Sequence, residues 1–122
     1  MKTIFNNYNY PLFTDKEKLA IFEKALAIIK YDHKKYGHYI SGFCKAFRDA
    51  MYNLDYDYHD ADSISYNYMK IYFPEIYKYK PHKLCSYWWR NDYTKYGKLG
   101  TEKRMKILET EIEVLKKKLR KK

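Results

Sequence analysis

Cysteine, proline and glycine are scarce in this 122-residue chain, with two, three and four copies. Two cysteines, Cys44 and Cys85, cannot form the framework of a disulfide-stapled scaffold, and no paired Cys-x-x-Cys pattern marks a zinc site. Little proline and glycine excludes a collagenous or low-complexity chain. No apolar run approaches the ~20 residues that span a bilayer, so no membrane segment is expected. The N-terminus MKTIFNNYNYPLF lacks a sustained apolar stretch with a small-residue cleavage site, so the expected setting is cytoplasmic with reduced thiols. A P-loop, a G-x-G-x-x-G fingerprint and an H-E-x-x-H motif are also missing.

What remains is apolar, aromatic and basic. Hydrophobic residues make up 46%, enough for a folded core, and the length suits a single domain over residues 1–122. Aromatics reach 20%, with 16 tyrosines, an excess that AT-rich codons alone can produce, so position matters more than number. Lys and Arg outnumber Asp and Glu by 25 to 15, and the net charge of +10 points to an anionic partner. That charge is uneven: +4 over residues 1–54, −4 over 55–75, +5 over 76–101 and +5 over 102–122.

Apolar spacing predicts an all-α fold. Residues 1–13 read as an N-terminal arm. Thr14 and Glu17 match a capping box, and Leu19, Phe22, Leu26 and Ile29 form a helical stripe from about Asp15 to Lys35, stopped by Gly37. Ser41 can cap a second helix carrying Phe43, Phe47, Ala50 and Leu54 on one face, which makes a helical hairpin. Residues 55–62, DYDYHDAD, form a polar loop or the mouth of a third helix, which runs from about 62 to 73, where Pro74 ends it or opens a short turn. Residues 82–100 are irregular, punctuated by Gly97 and Gly100. Thr101 then caps a long amphipathic C-terminal helix with Met105, Leu108, Ile112, Leu115 and Leu119 as its seam and 116–122 as a basic tail. Acidic residues in the first half of that seam and lysines in the second favour an antiparallel or staggered partner; a homo-oligomer through this helix is expected, with packing on the first helix of the same chain as the competing assignment.

The candidate site lies where cations and flat rings alternate. Lys83, Tyr87, Trp88, Trp89, Arg90, Tyr93 and Lys95, followed by Arg104, offer stacking surfaces for a base and donors for phosphates. The competing assignment makes Trp88 and Trp89 core anchors and leaves the cations solvated. Asp55, Asp57, His59, Asp60 and Asp62 are oxygen-rich, but the sixth and twelfth positions counted from Asp55 are Asp60 and Tyr66, where an EF-hand needs Gly and Glu; no metal is expected. Cys44, Cys85, His33, His38, His59 and His82 are linked by no catalytic motif, so neither an enzyme nor a cofactor is expected.

Gly42-Phe43-Cys44, Phe73-Pro74-Glu75, Tyr87-Trp88-Trp89 and the basic helix from Arg104 and Leu108 together resemble small uncharacterised proteins of tailed bacteriophages, over roughly residues 15–119. The resemblance implies an accessory or counter-defence factor working in the host bacterial cytoplasm. The function expected is therefore non-catalytic capture of a phosphorylated nucleotide, such as a host immune signal. The alternatives are an inhibitor of a host defence protein, of anti-CRISPR type, and direct binding of DNA or RNA.

Overall fold

The computed structural model describes residues 12–39, 41–80 and 95–121, with backbone only for 95–99. The described residues form helices and no strand: α1 (Asp15–Tyr36), α2 (Phe43–Asn53), α3 (Tyr58–Asn67), α4 (Met69–Tyr72), α5 (Pro74–Tyr77) and α6 (Lys95–Arg120). The expected all-α class is observed, with the hairpin, the third helix and the long last helix in their expected order.

α1 begins as its capping box dictates. The Glu17 amide donates to the Thr14 hydroxyl at 3.1 Å and the Thr14 amide donates to the Glu17 carboxylate at 2.9 Å, which satisfies two otherwise orphaned donors. It ends at Gly37, whose φ of +83° lies in the left-handed region and whose amide closes onto the His33 carbonyl at 2.8 Å. The face turned fully inward is Ile21, Phe22, Ala25 and Ile29, while Leu19 and Leu26 are half-buried on its flank. The stripe is broader than the one read from sequence because α2 and α6 both pack on α1.

The α1–α6 pair is antiparallel, as its ion pairs record. Lys30 meets Glu109 at 3.6 Å, Glu23 meets Lys116 at 3.9 Å and Asp15 meets Lys118 at 3.5 Å, so successive residues up one helix meet residues down the other. Leu108, Ile112 and Leu115 fill the seam. The partner of the C-terminal seam is thus the first helix of the same chain.

Aromatic rings hold the other end together. Phe73, wholly buried between α4 and α5, stacks on Phe47 at 4.9 Å and on Phe13 at 5.5 Å between centroids, with Phe22 tilted 5.8 Å away. Phe13 is therefore a core contact and not part of a free arm. Pro74 opens α5 at a position where its missing N–H costs nothing. Lys18 then ties Glu75 to the first turn of α1 at 2.6 Å.

Four boundaries differ from the sequence reading. α2 is capped by Gly42 with no side-chain bond, not by Ser41. The third helix, expected over about 62 to 73, starts at Tyr58, where the Asp57 carboxylate accepts the Asp60 amide, and ends at Asn67, with Met69–Tyr72 as the separate α4. α6 starts at Lys95 and runs through Gly97 and Gly100, so Thr101 lies in its interior and is not its cap. The basic tail is helical to Arg120, with Lys116 and Lys118 paired to α1. No described helix is long and apolar enough to cross a membrane.

Candidate functional site

α1 and α2 are joined by a short turn, and its backbone is held from below by α6. The Tyr39 amide donates to the Thr101 hydroxyl at 2.7 Å, and that hydroxyl donates in turn to the Tyr39 carbonyl at 3.1 Å. The same carbonyl accepts Arg104 Nη1 at 2.9 Å, and the guanidinium lies 5.9 Å from the centre of the Tyr39 ring. Arg104 is the largest fully buried side chain among the described residues. A cation is expensive to bury, so its hydrogen bond and ring contact mark a place where the fold invests in fixing one short segment.

Beside this clasp is a hollow of about 470 Å³ lined by Asp32, Tyr36, His38, Tyr39, Ser41 and Lys45. That volume falls within the range of small-molecule pockets. The lining combines two phenol rings, an amine, a carboxylate, an imidazole and a hydroxyl. Tyr36 is 60% exposed, and Lys35 Nζ lies 5.2 Å from the centre of its ring and 5.7 Å from that of Tyr31. Contact with Tyr36, then the charge of Tyr31, pushes the Lys35 pKa up, so this amine stays cationic.

Tyr39 is only 3% exposed, and its hydroxyl makes no full hydrogen bond within the protein. Burial raises its pKa well above that of a free phenol, and the charges of Asp49 and Asp32 add to the rise; Arg104 and nearby Ser41 oppose it without cancelling it. At neutral pH Tyr39 is therefore protonated, and its buried hydroxyl lies beside Ser41 without a hydrogen bond of good geometry. Such a group is rare in folded proteins and is a reason to look for a ligand.

The residues singled out in the sequence fare unevenly. Lys83, Tyr87, Trp88, Trp89, Arg90 and Tyr93 lie outside the described residues. Lys95 opens α6, and only its backbone is described. Arg104 is wholly buried and clasps Tyr39, so in this conformation it positions the turn instead of meeting a ligand in solvent. Lys95 stands six residues, or about 9 Å of helix, before Thr101.

The turn itself was missed as a site, since it read only as a connector. One signal was readable: Thr101, Arg104, Leu108, Glu111 and Leu115 recur at spacings of three and four, which places polar groups in a core register. Glu111 is the second of these. It is 2% exposed, and it accepts the Tyr79 hydroxyl at 2.9 Å and pairs with Lys78 at 2.7 Å. Among the described residues no group of three or more His, Cys, Asp and Glu is placed to hold a metal ion. Asp57 caps α3 and Asp62 reaches Arg48 at 3.4 Å.

Comparison with protein-family models, with curated proteins and with solved structures finds no match.

Proposed function

We propose that this protein captures a phosphorylated nucleotide without transforming it, and that the hollow at the α1–α2 turn receives the base and sugar. The observation that carries this reading is a pocket lined by Tyr39, whose buried hydroxyl makes no hydrogen bond of good geometry, with the exposed ring of Tyr36 at its rim. Tyr36 supplies a stacking face, Asp32 and Ser41 accept or donate to base edges, and Lys45 and Lys35 attract phosphate. Lys83, Arg90 and Lys95, with Trp88 and Trp89, are the cations and rings that the sequence adds at the entry to α6. Arg104 and Thr101 keep the turn in shape. Together with the bacteriophage resemblance, this composition supports sequestration of a host signalling nucleotide.

The test is calorimetry and thermal shift against cyclic and linear nucleotides. A ligand at 100 times its Kd raises stability by about 2.7 kcal/mol. Tyr36→Ala removes one stacking face and weakens binding by about 1–3 kcal/mol, with an unchanged melting point in the absence of ligand.

One observation favours a second reading, direct binding of nucleic acid. Lys103, Lys106, Lys117 and Arg120 on the solvent side of α6, and Lys121 just past its end, make no ion pair among the described residues. Retention of an oligonucleotide that falls steeply with salt, alongside no response to any nucleotide, selects that reading. The carboxylates of 55–62 give little support to phosphate mimicry against a host protein, because Asp57 and Asp62 are engaged within the chain.

A further inference from the structure

The outer face of the α1–α6 pair carries a second hollow, of about 430 Å³, remote in sequence from the Tyr39 turn. Its floor is Leu26, Ala27 and Ile112, and its four corners are charged. Glu23 stands beside Lys116 at one end; Lys30 stands beside Glu109 at the other. The two ends are seven residues apart on each helix, about 10 Å. Signs alternate both along and across the face, so the corners form a checkerboard around an apolar centre.

A checkerboard of this kind is its own complement. Rotation by a two-fold axis lying in the face and parallel to the helices sets the second copy's α1 over the first copy's α6, so each carboxylate faces a lysine. An axis lying in the face but across the helices sets α1 over α1 in reverse, and again every corner meets its opposite. Few arrangements of four charges satisfy both operations, and an isologous interface sets such a patch against itself about a two-fold axis. The corner pairs within one copy are long and about half exposed, at 3.6 and 3.9 Å, so each retains capacity for a second partner. Glu113 adds one more carboxylate to the rim and is itself 3.9 Å from Lys116.

We infer that this face docks a second copy of the same chain to form a two-fold dimer of four packed helices. The inference stands apart from the nucleotide reading, since it uses none of the pocket residues at the α1–α2 turn. A face about 30 Å long and 20 Å wide buries on the order of 600 Å² per copy, at the low end of specific interfaces, so the dimer forms in a concentration-dependent way.

Sedimentation of the full chain over a range of concentration and salt tests it. The expected result is a shift from monomer mass toward twice that mass as concentration rises, weakened by added salt. Ala27→Arg, at an exposed position in the centre of the face, is expected to hold the chain at monomer mass with unchanged helicity and melting point; Ala27→Glu serves as the second variant. A monomer at every concentration overturns the inference, as does a dimer that either Ala27 variant leaves intact.

Discussion

The two ends of α6 meet α1 and its following turn in opposite ways. Toward the C-terminus the contact is apolar and ordinary: Leu108, Ile112 and Leu115 join Ile21, Phe22 and Ile29 in one buried cluster, bordered by exposed ion pairs. Toward the N-terminus it is polar and buried, with Thr101 and Arg104 clasping the backbone of Tyr39. The first contact stabilises two helices over a long seam and tolerates variation at any one rim position. The second fixes a few atoms of one turn at the cost of burying a charge. That contrast is why the turn, and not the seam, is the place to look for function.

Substitutions should separate the two regions, and the largest effect is expected in the clasp. Arg104→Ala removes the largest fully buried side chain and one of the two donors to the Tyr39 carbonyl, so a loss of about 3–5 kcal/mol is expected in denaturant unfolding. Thr101→Val leaves the Tyr39 amide buried without an acceptor, for about 1–3 kcal/mol. At the rim of the seam, Lys30→Ala removes a pair whose groups are 55% and 54% exposed, and the expected change is about 0.2–1 kcal/mol or less, shrinking further in salt. Similar losses at Thr101 and Lys30 would remove the distinction.

Alkaline titration sharpens the same comparison. Burial raises the pKa of Tyr39 most, and raises those of Tyr56 and Tyr79 as well. The unfolded phenols release protons near their ordinary value of about 10 while the folded ones hold theirs, so the unfolded state binds fewer protons above that pH. The stability these groups contribute is fully present below about pH 10 and is lost as pH rises through the folded values. Melting points measured from pH 8 to 11 should fall at the alkaline end, and Tyr39→Phe should flatten the fall more than Tyr56→Phe does.

Much of the frame was legible because it rests on local rules. The capping box at Thr14 and Glu17, the left-handed stop at Gly37 and the antiparallel charge pattern of α6 each follow from short-range chemistry. The site was less legible, because what makes it is tertiary. A helix interior that contains Gly97, Gly100 and Thr101 reads as a break until packing against the α1–α2 turn is known. Arg104 read as a ligand for phosphate because sequence assigns cations to the surface; only the fold shows its donor committed to the Tyr39 carbonyl. Phe13 shows the same limit on a smaller scale, a supposed arm residue that stacks on Phe73.

The central claim is that the pocket at the turn holds a phosphorylated nucleotide and that the Tyr39 hydroxyl donates to it. Its most direct test is calorimetric titration of the full chain and of Tyr39→Phe with the same nucleotides. The account predicts saturable binding by the native chain, and binding by the variant weaker by about 0.5–1.5 kcal/mol, with little change in the variant's stability because the hydroxyl makes no hydrogen bond of good geometry within the fold. Equal affinity in both chains, or no heat with any nucleotide, would contradict it.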